Sequence, residues 1–253
     1  MKLNFRKYGS GDPLLILHGV FGSSDNWQTV GKDLSEHFTV YLIDQRNHGN
    51  SPHDTEMNYE VMAEDLKELM EDENIISSHV MGHSMGGKIA MHFATHYPEL
   101  VKKLIVVDIA PKFYPPHHQQ IFKAYRSVAL EKLDSRKEAD QKVSEIIKDF
   151  GVRQFILKNL NRDSENQYSW KINLDALEAH IDRIGEGLPD VAQFDKPTLF
   201  IGGKKSNYIQ SDDELIIQKH FSDYQIEMVD GAGHWVHAEK PKELLTLVLN
   251  FLS

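Results

Sequence analysis

The chain contains no cysteine. That excludes a disulfide framework, a thiolate nucleophile and Cys-ligated zinc, and it fits a reducing compartment. No apolar run approaches the roughly 18 residues of a membrane-spanning helix. The first residues, MKLNFRKYGSG, lack the apolar core and small-residue cleavage pattern of a secretory signal, so the cytoplasm is the expected location. Positive charge is in deficit: 28 Lys and Arg face 38 Asp and Glu, for a formal net charge of -10. No basic run offsets this, which disfavours nucleic acid as a partner. His48 and His53 raise the question of a metal, but there is no HExxH and no compact carboxylate–histidine set to hold one. Internal repeats and low-complexity tracts are absent too, and nothing decides between monomer and dimer. What remains is an ordinary globular composition, 40% hydrophobic, in a chain of 253 residues, enough for one large core.

Short, continuously apolar runs mark the strands. Residues 14–17 (LLIL), 38–43 (FTVYLI), 76–81, 104–107 (LIVV), 197–201 (PTLFI) and 224–229 (YQIEMV) read as strands buried on both faces, with residues 2–6 as an edge strand. Helical stripes lie between them at 59–70, 87–96 and 240–252. This alternation predicts an α/β fold with a mostly parallel sheet flanked by helices. It breaks at Pro111. Up to Phe194 there is no convincing strand, only helical stretches at 121–133, 137–149, 152–160 and 173–181, with a turn at 161–166. So long a segment is not a structureless loop. The organisation expected is a core of residues 1–110 and 195–253, with a helical cap, 111–194, inserted after the strand ending at Asp108.

The segment Gly82-His83-Ser84-Met85-Gly86-Gly87 follows an apolar run and opens a helical pattern. A serine between glycines at a strand-to-helix turn is a nucleophile elbow: the tight turn projects the hydroxyl and tolerates no side chain beside it. The N–H of Met85 then points at developing negative charge. The base should follow the last strand, which selects His234 in Asp230-Gly-Ala-Gly-His234-Trp-Val-His237. His237 is the competitor, with a packing or capping role as its ordinary reading. The acid is harder to assign. Its usual loop, Gly202 to Tyr208, has no carboxylate. Asp212 and Asp213 sit where a helix begins and suit capping. Asp108 closes a buried apolar run on the catalytic edge and needs a partner there. Asp108 is favoured, with Ser206 as a supporting hydrogen-bonding group.

A second oxyanion donor should come from the turn after the first core strand, from the N–H of Val20 or, alternatively, Phe21. His18, at the strand end, suits shaping that turn. Arg46, in a rigid polar turn, suits scaffold over anion binding. Phe21, Phe113, Tyr114, Phe155 and Trp170 are candidates for an acyl pocket. Lys204 and Lys205 suit a phosphate-bearing substrate on an acidic protein.

HGVFGS at 18–23, DQRNHGNSP at 44–52, GHSMGGK at 82–88, VDIAP at 107–111 and GAGHWVHAEKP at 231–241 together resemble the α/β-hydrolase superfamily. Within it they resemble the small bacterial YbfF-type esterases related to mitochondrial abhydrolase-domain-11 proteins. The resemblance implies an eight-stranded-type sheet, possibly trimmed, with a helical cap. It implies hydrolysis of carboxylic esters and acyl thioesters, acyl-CoA included, through an acyl-enzyme and without a cofactor. It assigns Ser84, His234 and Asp108 as catalytic, Ser206 as supporting, and the N–H groups of Val20 and Met85 as the oxyanion hole. A carboxylate-nucleophile dehalogenase is excluded by Ser84. A MenH-like lyase on the same three residues and a non-catalytic binding protein are the alternative readings. The partner expected is a small acyl ester or thioester.

Overall fold

Five of the apolar runs form the middle of one sheet in the computed structural model, which describes residues 1–253, whereas the sixth, 224–229, forms an edge strand in which only Val229 is buried, not a strand buried on both faces. Strands β1 (Phe5–Tyr8), β2 (Pro13–Leu17), β3 (Thr39–Ile43), β4 (Ser78–His83) and β5 (Val101–Val107) come before the insertion. A small hairpin, β6 (Leu160–Arg162) and β7 (Tyr168–Trp170), lies within it, and β8 (Thr198–Gly203) and β9 (Tyr224–Val229) come after it. The main sheet has seven strands in the order β1-β3-β2-β4-β5-β8-β9. All neighbours are parallel except β1, which pairs antiparallel with β3.

Burial on both faces explains why the strands read as unbroken apolar runs. Leu15, Leu17, Tyr41, Ile43, Val80, Leu104 and Val106 enter one core, and Leu14, Ile16, Val40, Leu42, Met81, Ile105 and Val107 enter the other. That alternation is the pleat with both sides covered. Helices α2 (Tyr59–Asp72) and α3 (Met85–His96) cover the first face, and α1 (Gln28–Leu34) and the C-terminal helix α9 (Pro241–Leu252) the second. Asn58 starts α2 by accepting the Val61 N–H at 2.8 Å.

The insertion between β5 and β8 carries α4 (Gln119–Arg126), α5 (Arg136–Ile146), α6 (Phe150–Leu157), α7 (Leu174–Ala179) and α8 (Ile181–Ile184). Its hairpin corrects the expectation of a strand-free segment: Leu160 pairs with Trp170 and Arg162 with Tyr168. The turn between them is shorter than expected. Asp163 accepts the N–H groups of Glu165 and Gln167 at 2.9 and 2.8 Å. Three-residue strands of mixed polarity, LNR and YSW, carry no periodic signal. The edge strand also lies further along the chain than expected, at Phe5–Tyr8.

The chain runs from β2 outward to β3, then returns to place β4 on the other side of β2. This reversal is where open α/β sheets build ligand sites, at the carboxyl ends of the strands. The loops carrying Val20, Ser84, Asp108 and His234 all leave that edge. Close approach is built into it. A Cβ on Gly82 would lie 2.1 Å from the Gly86 carbonyl oxygen, and one on Gly86 2.5 Å from that of Leu17. These contacts are backbone to backbone and have no flexible end to move. Gly86→Ala is therefore expected to cost about 3 kcal/mol and to lower Tm by roughly 10 °C in thermal denaturation. An unchanged Tm would contradict this packing.

Candidate functional site

Ser84 sits between β4 and α3 with φ 53° and ψ −119°. A non-glycine residue rarely adopts such a positive φ, and the strain is of a kind that collects at functional sites. The turn is held by the Ser84 N–H donating to the Val107 carbonyl at 3.0 Å, and by the Lys88 N–H donating to the Ser84 carbonyl at 3.0 Å. Met85 opens α3, so its N–H lies in the turn whose donors lack an intrahelical partner. No hydrogen bond joins the Ser84 hydroxyl to His234, although both border the same cavity. Such contacts are commonly loose until substrate is bound.

Asp108 also has a positive φ, 50°, and its side chain is fully buried. Its carboxylate accepts the Gly203 N–H at 2.9 Å through Oδ1. Through Oδ2 it accepts the Ser206 hydroxyl at 2.5 Å and His234 Nδ1–H at 2.7 Å. One carboxylate thus joins the ends of β5 and β8 to the loop after β9. The bond to Nδ1 sets the tautomer and leaves His234 Nε2 as an acceptor. Asp213 is occupied elsewhere, with Lys112 at 2.7 Å and the Gln210 N–H at 2.9 Å. Asp212 is exposed at a helix start, with the Ser211 hydroxyl 3.4 Å away. His237 is buried flat against Trp27, with ring centroids 4.4 Å apart.

The turn after β2 is shaped by two buried histidines. His18 Nδ1–H donates to the Gly19 carbonyl at 2.8 Å, and its Nε2 accepts the Gln45 N–H at 3.1 Å. His48 Nδ1–H donates to the Arg46 carbonyl at 2.9 Å, and its Nε2 accepts the Phe21 N–H at 3.2 Å. Phe21 therefore has no free N–H, whereas the Val20 N–H makes no hydrogen bond. Asn159 of the insertion donates to the Phe21 carbonyl at 2.7 Å and to the Tyr125 hydroxyl at 2.9 Å. The sequence raised His48 only as a possible metal ligand and did not single out Asn159, because each meets the Phe21 backbone, which lies far away along the chain. Arg46 is scaffold: it makes a two-pronged pair with Asp65, at 2.6 and 2.9 Å, and donates to the Glu56 carbonyl.

A cavity of about 540 Å³ opens above Ser84 and His234. Phe21 and Phe155 line it, together with Ile121, Ile147, Val152, Tyr208 and Trp235, which the sequence did not single out. Several pocket candidates lie elsewhere. Phe113 is 57% exposed at the insertion's start. Trp170 packs edge-on against Tyr125. Tyr114 borders a second cavity of about 30 Å³, on which Ser84, Met85 and Lys88 also lie. Lys204 pairs with Asp230 at 2.8 Å, and neither it nor Lys205 borders the large cavity; the lysine that does is Lys148. Lys88, four residues past Ser84, is fully buried. It donates to the carbonyls of Lys112, at the start of the insertion, and Glu186, towards its end. Burial and the nearby Lys112 bring its pKa down to about 7.

Burial keeps several histidines neutral in the fold. His48, His92 and His237 are pushed down to about 3, and His79 and His118 to about 4. The unfolded chain takes up these protons near pH 6.5, where the folded chain cannot. Stability is thus full above about pH 6.5 and is lost as pH falls toward about 4. Tm measured against pH should show that acid limb, and His92→Leu should make it shallower by removing one of the five contributions. A Tm constant down to about pH 4 would contradict the assignment.

Residues 12–241 match the family model described as alpha/beta hydrolase fold. The chain is 39% identical to the sn-1-specific diacylglycerol lipase ABHD11 of Danio rerio, over 97% of this chain and 80% of that protein. It is 35% identical to Esterase YbfF of Escherichia coli, over 100% of both. A solved structure titled "Marine microorganism esterase" superposes with a TM-score of 0.96 at 44% identity, over 99% of each chain. The chain belongs to the α/β hydrolase fold family, in the branch of esterases that includes ABHD11 and YbfF.

Proposed function

We propose that the protein hydrolyses carboxylic esters and acyl thioesters with an apolar acyl group, by way of an acyl-enzyme on Ser84. The observation that carries this reading is the bond from His234 Nδ1–H to the buried Asp108 carboxylate, 2.7 Å, beneath an apolar cavity shared by His234 and Ser84. His234 Nε2 takes the Ser84 proton as the oxygen attacks the acyl carbon. The N–H groups of Val20 and Met85 hold the oxyanion. The alcohol or thiol leaves with the proton from His234. Water activated by the same nitrogen then frees the acid and restores Ser84. Asp108 holds the tautomer and offsets the imidazolium charge, and Ser206 holds Asp108. Residues 1–110 and 195–253 serve as the hydrolase core and 111–194 as the cap that walls the cavity.

The cavity favours the acyl chain over the headgroup as the feature recognised. Aromatic and aliphatic side chains form much of its wall, and Lys204 and Lys205 are absent from it. Lys204 and Lys205 therefore do not mark the cavity for a phosphate-bearing substrate, and thioester cleavage rests on the shared acyl chemistry. No helix is long and apolar enough to cross a membrane.

Ser84→Ala should abolish hydrolysis of p-nitrophenyl esters. Asp108→Asn should lower kcat by about 10⁴-fold through the wrong imidazole tautomer, while Asp212→Asn stays within about twofold of wild type. Loss of activity in Asp212→Asn alone would overturn the acid assignment. Across an acyl series, kcat/KM should rise from acetyl to medium-chain esters as the cavity fills, by about three- to fourfold per added methylene. A flat series would contradict an acyl-binding cavity.

A further inference from the structure

Tyr208 takes no part in the acyl-transfer scheme, yet it touches the imidazole at its centre. Its ring stacks on His234 with centroids 4.0 Å apart and planes 20° from parallel. Its own position is fixed at separate atoms. The Tyr208 N–H donates to Ser206 Oγ at 3.2 Å, the hydroxyl that also donates to Asp108. Its carbonyl accepts the Tyr114 hydroxyl, which itself accepts the Ala110 N–H at 2.9 Å. Its hydroxyl lies 2.8 Å from His117 Nε2, in the segment leading into α4. His117 Nδ1 faces the Pro115 carbonyl at 3.2 Å, which leaves Nε2 to accept the Tyr208 proton.

A base needs more than a tautomer. The bond to Asp108 holds His234 at Nδ1, but a combined rotation about Cα–Cβ and Cβ–Cγ that bends this bond can still carry Nε2 away from Ser84. No hydrogen bond from Ser84 prevents this. A rigid aromatic surface parallel to the imidazole resists it; the other close ring, His83, has its centroid 4.6 Å away but is tilted by 44°. The negative face of that surface also favours the imidazolium formed during attack.

We propose that Tyr208 is the positioning residue for the base: its ring sets the plane of His234, and its contacts with Ser206, Tyr114 and His117 keep that ring in place. The proposal rests on the reading of His234 as the base of Ser84.

The test compares Tyr208→Phe, which keeps the ring, with Tyr208→Leu, which fills the space without one. Tyr208→Met provides a second unstacked side chain if the leucine variant does not fold, and Tm checks each protein. The readouts are the rate of inactivation by a small fluorophosphonate, which needs an activated serine but little of the cavity, and kcat and KM for a short ester. The leucine or methionine variant should lose about tenfold in inactivation rate and in kcat, with KM within about twofold of wild type. The phenylalanine variant should lose less than about threefold. Equal inactivation rates for the leucine and phenylalanine variants would overturn the proposal, as would a leucine variant that raises KM and leaves kcat intact. A Ser84→Ala protein that still hydrolyses esters would overturn the underlying site reading, and the proposal with it.

Discussion

The buried carboxylate of Asp108 is the group on which the site depends. A charge with no solvent exposure is tolerable only if its lone pairs are filled, and here the Gly203 N–H, the Ser206 hydroxyl and the His234 ring fill them. The donors come from two stretches of chain, Gly203 and Ser206 from the end of β8 and His234 from the loop after β9. Satisfying one charge therefore fixes the ends of β5 and β8 and the loop after β9 relative to one another. The parallel sheet brings those ends to one edge, and the positive φ of Asp108 turns its side chain off the strand to meet them. The same network decides the tautomer of His234, so the interactions that stabilise this edge also leave Nε2 as the acceptor that the proposed base needs.

Steric closeness is the second constraint. Gly82 and Gly86 let the elbow fold back against β2 with no room for a side chain. The start of α3 and the turn after β2 consequently face the same point. The Val20 N–H stands free there because His48 engages the neighbouring Phe21 N–H, and Asn159 ties the Phe21 carbonyl to the insertion. Cap and core thus share the loop that would meet the oxyanion. Lys88 adds a second tie, donating to one carbonyl at the start of the insertion and to another towards its end.

Much of this was legible in the sequence, for identifiable reasons. Strands buried on both faces announce themselves as unbroken apolar runs. An elbow needs glycines at fixed offsets from its serine. An aspartate ending such a run, as Asp108 does after LIVV, must find a partner. The hairpin at β6 and β7 was not legible, because three-residue strands pair through the backbone and leave no periodic signal. The cavity wall was not legible either. Which aromatic side chains face the cavity depends on how short helices pack: Phe155 does, while Trp170 turns edge-on to Tyr125 instead. Lys204 and Lys205 follow β8 in the sequence, but Lys204 points to Asp230 and away from the cavity. Tyr208 lies only two residues past Ser206, yet its stacking on His234 follows from the loop's path.

The central claim is that acyl groups pass through a covalent bond to Ser84. Mass spectrometry of enzyme quenched in acid during turnover of an ester reads this directly. The account predicts a mass increase equal to the acyl group on the peptide containing Ser84, and none in Ser84→Ala. Turnover with no acylated peptide, or an acyl mass on a different residue, would contradict it.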